Sequence, residues 1–150
     1  MSDRDLPLRL EALADEMADV AARARAVGQE LLRAGEQTPW ASVAADSFRE
    51  DLARTAADTE RTVSLVRALE TDLRTQAQEV RETFALIDAA REWVAEQAES
   101  ARGLLRRAWD GVVDVLTGDV DRARWVIDVA GAGRDDLDPG WLDAARALRD

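Results

Sequence analysis

The sequence predicts an all-α protein, built as a long antiparallel helical hairpin with a C-terminal cluster of shorter helices, and able to form bundles. Three observations support this fold class. Ala, Leu, Arg and Glu are abundant and runs of β-branched residues are few, which favours helix over sheet. Apolar residues recur in alternating steps of four and three along two long segments, as in coiled-coil seams. The three prolines and most of the eight glycines stand near segment ends.

The charge and the missing residue types argue against several function classes. The 150 residues include 31 acidic and 20 basic ones, a net charge of −11, which repels nucleic-acid phosphates and anionic membrane surfaces. Cysteine, histidine and tyrosine are absent, which removes disulfides, thiolate or Ser-His nucleophiles and the common zinc ligand sets. We therefore expect no cofactor, no metal and no enzymatic activity.

The start of the chain and its apolar runs bear on localisation. Residues 1–5 are charged, unlike a cleavable signal peptide, and charges interrupt every apolar run, so no membrane crossing is expected. We expect secretion by a route that needs no cleavable signal; the alternative is a cytoplasmic protein. All 20 basic residues are Arg, which indicates the codon usage of a GC-rich genome such as an actinobacterial one.

The first arm of the hairpin is predicted over about residues 6 to 34. Asp5 is the candidate N-cap, and Gly35 is the candidate left-handed stop after the last apolar residue. Asp, Glu, Arg and Ala fill most other positions, so one face is expected to pack and the other to be solvated. The apolar positions are Leu6, Leu10, Leu13, Met17, Val20, Ala24, Val27, Leu31 and Ala34.

A corner is predicted at residues 38–48, where the first arm ends and a second begins. Thr38 can cap the second helix, and Pro39 suits its first turn because the missing N–H would have no partner there. These residues would hold Trp40 at the corner. Ser42 and the alanines around it are small, so the two helices can approach closely before the stripe that begins at Phe48.

The second arm repeats the same spacing from residue 48 to residue 87. We expect its seam to include Phe48, Leu52, Val66, Leu73 and Val80. If the two arms run antiparallel, the first arm ends level with about residue 68 of the second arm. About 20 residues of the second arm, or ~30 Å of helix, then extend beyond it as an overhang. The apolar stripe of that overhang must be covered by a second molecule or by the last 60 residues folding back.

An aromatic and an acidic residue, Phe84 and Asp88, lie near the end of the second arm. They are four residues apart and therefore one turn apart on the same helical face. Taken alone, this spacing also describes a core Phe followed by a solvated Asp. What distinguishes it here is its position after the Trp40-x-Ser42 corner, at the end of the second arm.

This arrangement resembles the WXG family, the small helical-hairpin substrates of type VII (ESX-type) secretion, over about residues 6–90. The sequence departs from the family pattern where Ser42 replaces Gly and Phe84 replaces Tyr. The resemblance implies a homodimer, or a heterodimer with another small helical protein, in a four-helix bundle. It also implies that Trp40, Ser42, Phe84 and Asp88 form a signal that the secretion-system ATPase recognises.

Residues 91–150 extend beyond the hairpin of residues 1–90, and we expect them to pack on the hairpin or on a partner. Trp109, Trp125 and Trp141 are about evenly spaced and are expected to join a small helical cluster. Asp138-Pro139 is expected to start the last helix.

Two other function classes remain open. The alternative interpretation is an intracellular helical chaperone or scaffold that covers a partner helical protein, with Trp40 needed only for stability. An enzyme would have to rely on carboxylates, with a metal near Asp135, Asp136 and Asp138. The spacing of those three residues misses the usual calcium-loop pattern, and helix capping accounts for them better.

Overall fold

The computed structural model describes residues 3–39, 41–111 and 116–150. These residues form four α-helices after a 3-10 turn at Asp3–Asp5, with no strand among them. The predicted all-α fold class is confirmed. The helices are α1, Leu6–Glu36; α2, Val43–Trp109; α3, Thr117–Gly131; and α4, Gly140–Arg149.

The chain divides into two compact units, Met1–Val80 and Arg81–Asp150. The first unit contains α1 and residues 43–80 of α2, and the second contains residues 81–109 of α2 with α3 and α4. The division lies between Val80 and Arg81, whereas the boundary predicted from the sequence was near residue 90.

In the first unit, α1 and α2 run antiparallel. Asp15 pairs with Arg74, with 2.8 Å between Oδ1 and Nη2, and Arg25 pairs with Glu60. Helix α1 therefore still contacts α2 at Arg74, and the prediction that its pairing with α2 ends at about residue 68 is wrong. The predicted start of α2 was too early, because the helix begins at Val43.

The buried stripe of α1 consists of small residues spaced by seven positions. They are Pro7, Ala14, Ala21, Gly28 and Gly35. The predicted stripe of α1 is therefore correct only in part: Leu10, Met17, Ala24 and Leu31 are half-buried beside the small residues, whereas Leu6, Leu13, Val20, Val27 and Ala34 are exposed. Small residues let two helix backbones approach closely, and this close approach selects the small stripe rather than the neighbouring large one.

The two glycines of this stripe lie directly against α2. A Cβ on Gly28 would lie 3.4 Å from Thr59 Cγ2, and a Cβ on Gly35 would lie 3.2 Å from Leu52 Cδ1. Gly35 is helical and α1 continues to Glu36. The prediction that Gly35 is a left-handed stop is therefore wrong, because its missing side chain serves packing instead of backbone freedom.

Four of the five residues predicted for the seam of α2 are covered in the first unit. Leu52, Val66, Leu73 and Val80 are buried or half-buried, as expected. Phe48 was expected to begin the seam, but its side chain is 43% exposed. Arg49, the residue after Phe48, is half-buried instead. It begins the other covered row of α2, which comprises Arg49, Ala56, Val63, Glu70 and Ala77.

The second unit is a small helical cluster around the C-terminal part of α2. Gly111, with φ of +67°, follows the end of α2 and supplies the left-handed residue that such helix ends favour. Against α2 pack the partly buried Val126 and Val129 of α3 and the buried face of α4. The buried core comprises Ile87, Ala90, Val94, Trp141, Ala144, Ala145 and Leu148.

The tryptophans of the second unit do not all join this core. Trp141 is buried, and its Nε1 donates to the carbonyl oxygen of Asp135 at 2.9 Å. Trp109 is 91% exposed and Trp125 is also exposed, so the expectation that all three join the cluster is wrong. Trp93, which the sequence analysis left out, packs against the core. It lies three residues after the buried Ala90, and therefore next to that residue on the same face of α2.

Candidate functional site

The connection between α1 and α2 is fixed by Ser42. Its Oγ accepts a hydrogen bond from the Ala45 amide at 3.2 Å, which is the N-cap arrangement. Thr38, the predicted cap, instead donates from its hydroxyl to the Ala34 carbonyl at 2.8 Å. That prediction is wrong because α1 extends far enough for Thr38 to reach its last turn. Trp40 lies outside the residues that the structure describes.

Arg49 secures the same connection and was missed by the sequence analysis. Its Nη2 donates to the Thr38 carbonyl at 2.9 Å, and its Nε donates to the Gly35 carbonyl at 3.3 Å. A cation at the C-terminal end of a helix interacts favourably with the unpaired carbonyls and the helix dipole. No sequence pattern singled out Arg49, because only the position of α1 decides that Arg49 is covered and its neighbour Phe48 is not.

Phe84 and Asp88 lie on α2 within the second unit, one helical turn apart. Both are half-buried, so each keeps part of its side chain accessible. The Asp88 carboxylate lies 3.5 Å from Nη2 of Arg91, and Nη1 of Arg91 lies 2.8 Å from Asp136. The acidic half of the predicted signal is therefore tied through Arg91 to the segment before α4. Ser42 belongs to the first unit. Of the predicted signal residues that the structure describes, only Phe84 and Asp88 therefore lie in the same unit.

An apolar row on α1 remains partly exposed in the first unit. We call it the outer stripe, and it consists of Leu6, Leu13, Val20 and Val27, which are 37%, 41%, 40% and 56% exposed. Each residue immediately precedes a member of the buried small stripe. At 100° per residue, the outer stripe therefore faces sideways from the contact with α2.

On α2, Phe48 and Leu69 are also exposed. Phe48 lies four residues before the half-buried Leu52, and Leu69 lies three residues after the half-buried Val66. This spacing turns them to the same side of the hairpin as the outer stripe. Phe48 and Leu69 thus add two apolar side chains to that side of the first unit, in a row of α2 that also contains Thr55, Thr62 and Gln76.

The opposite side of the hairpin is held by ion pairs. The side-chain hydrogen bond from Arg25 lowers the pKa of Glu60 below its ordinary value of 4.5, and the pKa of Arg25 is raised by the same bond. Hydrogen bonds to Asp15 and then Glu70 raise the pKa of Arg74. Both sides of each pair are exposed enough for salt to screen them.

The aspartates before α4 have structural partners. Asp138 Oδ1 accepts from the Gly140 amide at 2.7 Å, which agrees with the expected capping of the last helix, and Asp136 pairs with Arg91. Among the residues that the structure describes, no group of three or more acidic side chains is placed to hold a metal ion. Within the same residues, no helix combines the length and the apolarity needed to cross a membrane.

No family model, curated protein or solved structure matches this sequence.

Proposed function

We propose that this chain is a type VII secretion substrate or targeting module that resembles the WXG family and works as a folded helical dimer. Its mechanism is recognition: Trp40 at the corner, with Phe84 and Asp88 near the end of the second arm, is read by the secretion-system ATPase. The protein is exported without a cleavable signal peptide and performs no bond-breaking chemistry.

The observation that carries the proposal is the placement of Phe84 and Asp88. They share a face of one helix, and both remain partly accessible, so a receptor can contact the ring and the carboxylate together. The close helix packing at Gly28 and Gly35 supports the hairpin part of the resemblance. Ser42 gives the departure from the family's Gly a physical reason, since its hydroxyl caps α2.

Export in a host that carries the secretion system tests this proposal. Phe84→Ala and Asp88→Ala should abolish export while the circular dichroism of the purified variants stays helical. Phe84→Tyr, which restores the family's aromatic, should keep export. Leu86→Ala is the matched control, because Leu86 is 61% exposed on the same turn of α2 and faces another direction. Unchanged export of the two alanine variants would remove the signal assignment.

The second candidate is an intracellular chaperone or scaffold that covers another helical protein. The exposed outer stripe of α1 favours it, because an apolar row of this length fits a partner helix. In this case a helical protein should co-purify with the chain, the chain itself should stay in the cell, and Phe84→Ala should leave its function intact.

A further inference from the structure

The outer stripe of α1 is part of a second complete seam. Its four residues alternate with a half-buried row in steps of four and three, which is the spacing of a coiled-coil contact. This seam lies beside the small stripe that packs on α2, so α1 can contact a second helix without releasing the first. The half-buried row comprises Leu10, Met17, Ala24 and Leu31.

Charges of alternating sign follow the open edge of this second seam. They are Arg9, Glu16, Arg23 and Glu30, and all four are exposed. The seam's other edge is the small stripe buried against α2. Arg23 donates from Nε to the Asp19 carbonyl at 3.4 Å. Within the part of the chain that the structure describes, no ion pair involves these four, in contrast to Arg25 on the α2 side.

We propose that α1 pairs with α1 of a second copy of this chain, antiparallel, about a two-fold axis between residues 18 and 19. In this register Arg9 faces Glu30 of the second copy, and Glu16 faces Arg23 of the second copy. The symmetry repeats both pairs. A shift of one heptad would bring Glu16 against Glu30, or Arg9 against Arg23. The alternating charges therefore select one register and one partner, an identical helix.

The position of α2 agrees with the same axis. The ion pairs of Asp15 with Arg74 and of Arg25 with Glu60 show that residues 18 and 19 of α1 lie level with the part of α2 close to Leu69. Stacking two hairpins about this axis brings Leu69 of α2, which is 48% exposed, against Leu69 of the second copy, with the half-buried Val66 beside it. The most apolar part of the exposed side of α2 thus falls at the centre of the contact.

The inference identifies the partner in the proposed dimer as a second copy of this chain. The biological role of this pairing rests on the proposed function. The pairing itself is measured with purified protein, whereas the function is measured by export from cells. Either can therefore fail without the other.

The experiment exploits the symmetry of the charge pairs. In Glu16→Arg, two arginines of one copy face two arginines of the other at the centre of the contact, and in Arg23→Glu, glutamates face glutamates. Each variant alone should dissociate, with the dimer dissociation constant raised at least about tenfold. An equimolar mixture of the two should form a one-to-one dimer, and the double variant E16R/R23E should dimerise again by itself.

Sedimentation equilibrium of the full chain, from low micromolar to near-millimolar concentration, gives the readout. Arg33→Glu is the matched control, since Arg33 is exposed on the outer face of α1 away from the seam, and it should remain dimeric. Recovery in the mixture also shows that both single variants are folded. A monomeric wild-type chain, including one that dimerises only with a different helical protein, would overturn the proposal, as would single variants that stay dimeric or a mixture that stays monomeric.

Discussion

Gly28 of α1 lies against Thr59 of α2, so closely that a methyl group in place of the glycine hydrogen would lie 3.4 Å from Thr59 Cγ2. This contact shows how the hairpin is held. The helices approach through small residues every seven positions, and the outer stripe of α1 stays exposed. The stability of the hairpin therefore depends on the absence of large side chains at these positions.

Substitutions at Gly28 should separate backbone effects from packing effects. Gly28→Ala should raise the free energy of unfolding by about 0.5–1 kcal/mol, because the added methyl fits at ordinary contact distance and alanine loses less conformational freedom in a helix. Gly28→Leu should lower it by about 1–3 kcal/mol, because the side chain pushes against α2. Urea unfolding followed by circular dichroism measures both.

The control for this pair is Ala26→Leu, two residues away and exposed, which should change stability little. If Gly28→Leu were as stable as this control, the close contact between the helices would be contradicted.

The cap at Ser42 predicts a difference between two small replacements. Ser42→Ala removes the oxygen that accepts from the Ala45 amide and should lower the unfolding free energy by about 1 kcal/mol, whereas Ser42→Gly should cost only a few tenths, as glycine is tolerated at N-caps. Thermal unfolding of both variants tests this. In the proposed function, Ser42→Gly should also keep export, since it restores the family's residue; equal losses of stability in the two variants would argue against the cap.

The Arg25 and Glu60 pair predicts a dependence on pH. The folded-state pKa of Glu60 is lowered, so its contribution to stability is present above the ordinary value of 4.5 and is lost as the pH falls through the lowered folded value. The difference in melting temperature between the wild type and Glu60→Gln should therefore be larger at neutral pH than in acid.

Arg25→Gln removes the other partner of the same ion pair. The difference in melting temperature between this variant and the wild type should also be smaller in acid than at neutral pH. Added salt at neutral pH should reduce both differences, because the pair is exposed. A difference for Glu60→Gln that does not change with pH would show that the ion pair does not stabilise the folded chain.

The two tryptophans at opposite extremes of burial give a test of the second unit. Trp141→Phe removes the Nε1 hydrogen bond to the Asp135 carbonyl and part of a buried ring that Arg134 covers at 5.2 Å, so it should lower the unfolding free energy by about 1–3 kcal/mol. Trp109→Phe, at a 91% exposed site, should be nearly neutral. Comparable losses at both sites would contradict the core described above.

The corner predicts a separation of stability from recognition. In the proposed function, Trp40→Ala should abolish export while the chain stays helical. Circular dichroism and export assays on the same variant measure the two properties. A variant that unfolds, with export recovered by a stabilising change such as Gly28→Ala, would instead assign Trp40 a role in stability alone.

The sequence was most informative where a pattern has one physical meaning. The seven-residue spacing and the composition predicted two long helices with the right hairpin order, and Asp138-Pro139 predicted the start of α4. The register of the seam was predicted only in part, because Phe48 and Arg49 are neighbours and only the position of α1 decides which one is covered. In the same way, the hydroxyl of Thr38 could accept from an amide of α2 or donate to a carbonyl of α1, and the residue at which α1 ends decides between these two bonds.

The sequence by itself determined that the chain is helical, because local periodicity and propensity depend only on nearby residues. It also contained the alternating charges of Arg9, Glu16, Arg23 and Glu30. Only the tertiary structure decided which of two adjacent stripes on α1 meets α2, since that choice depends on how closely two backbones can approach. The small stripe permits the closer approach, and so the outer stripe remains exposed beside the row of alternating charges.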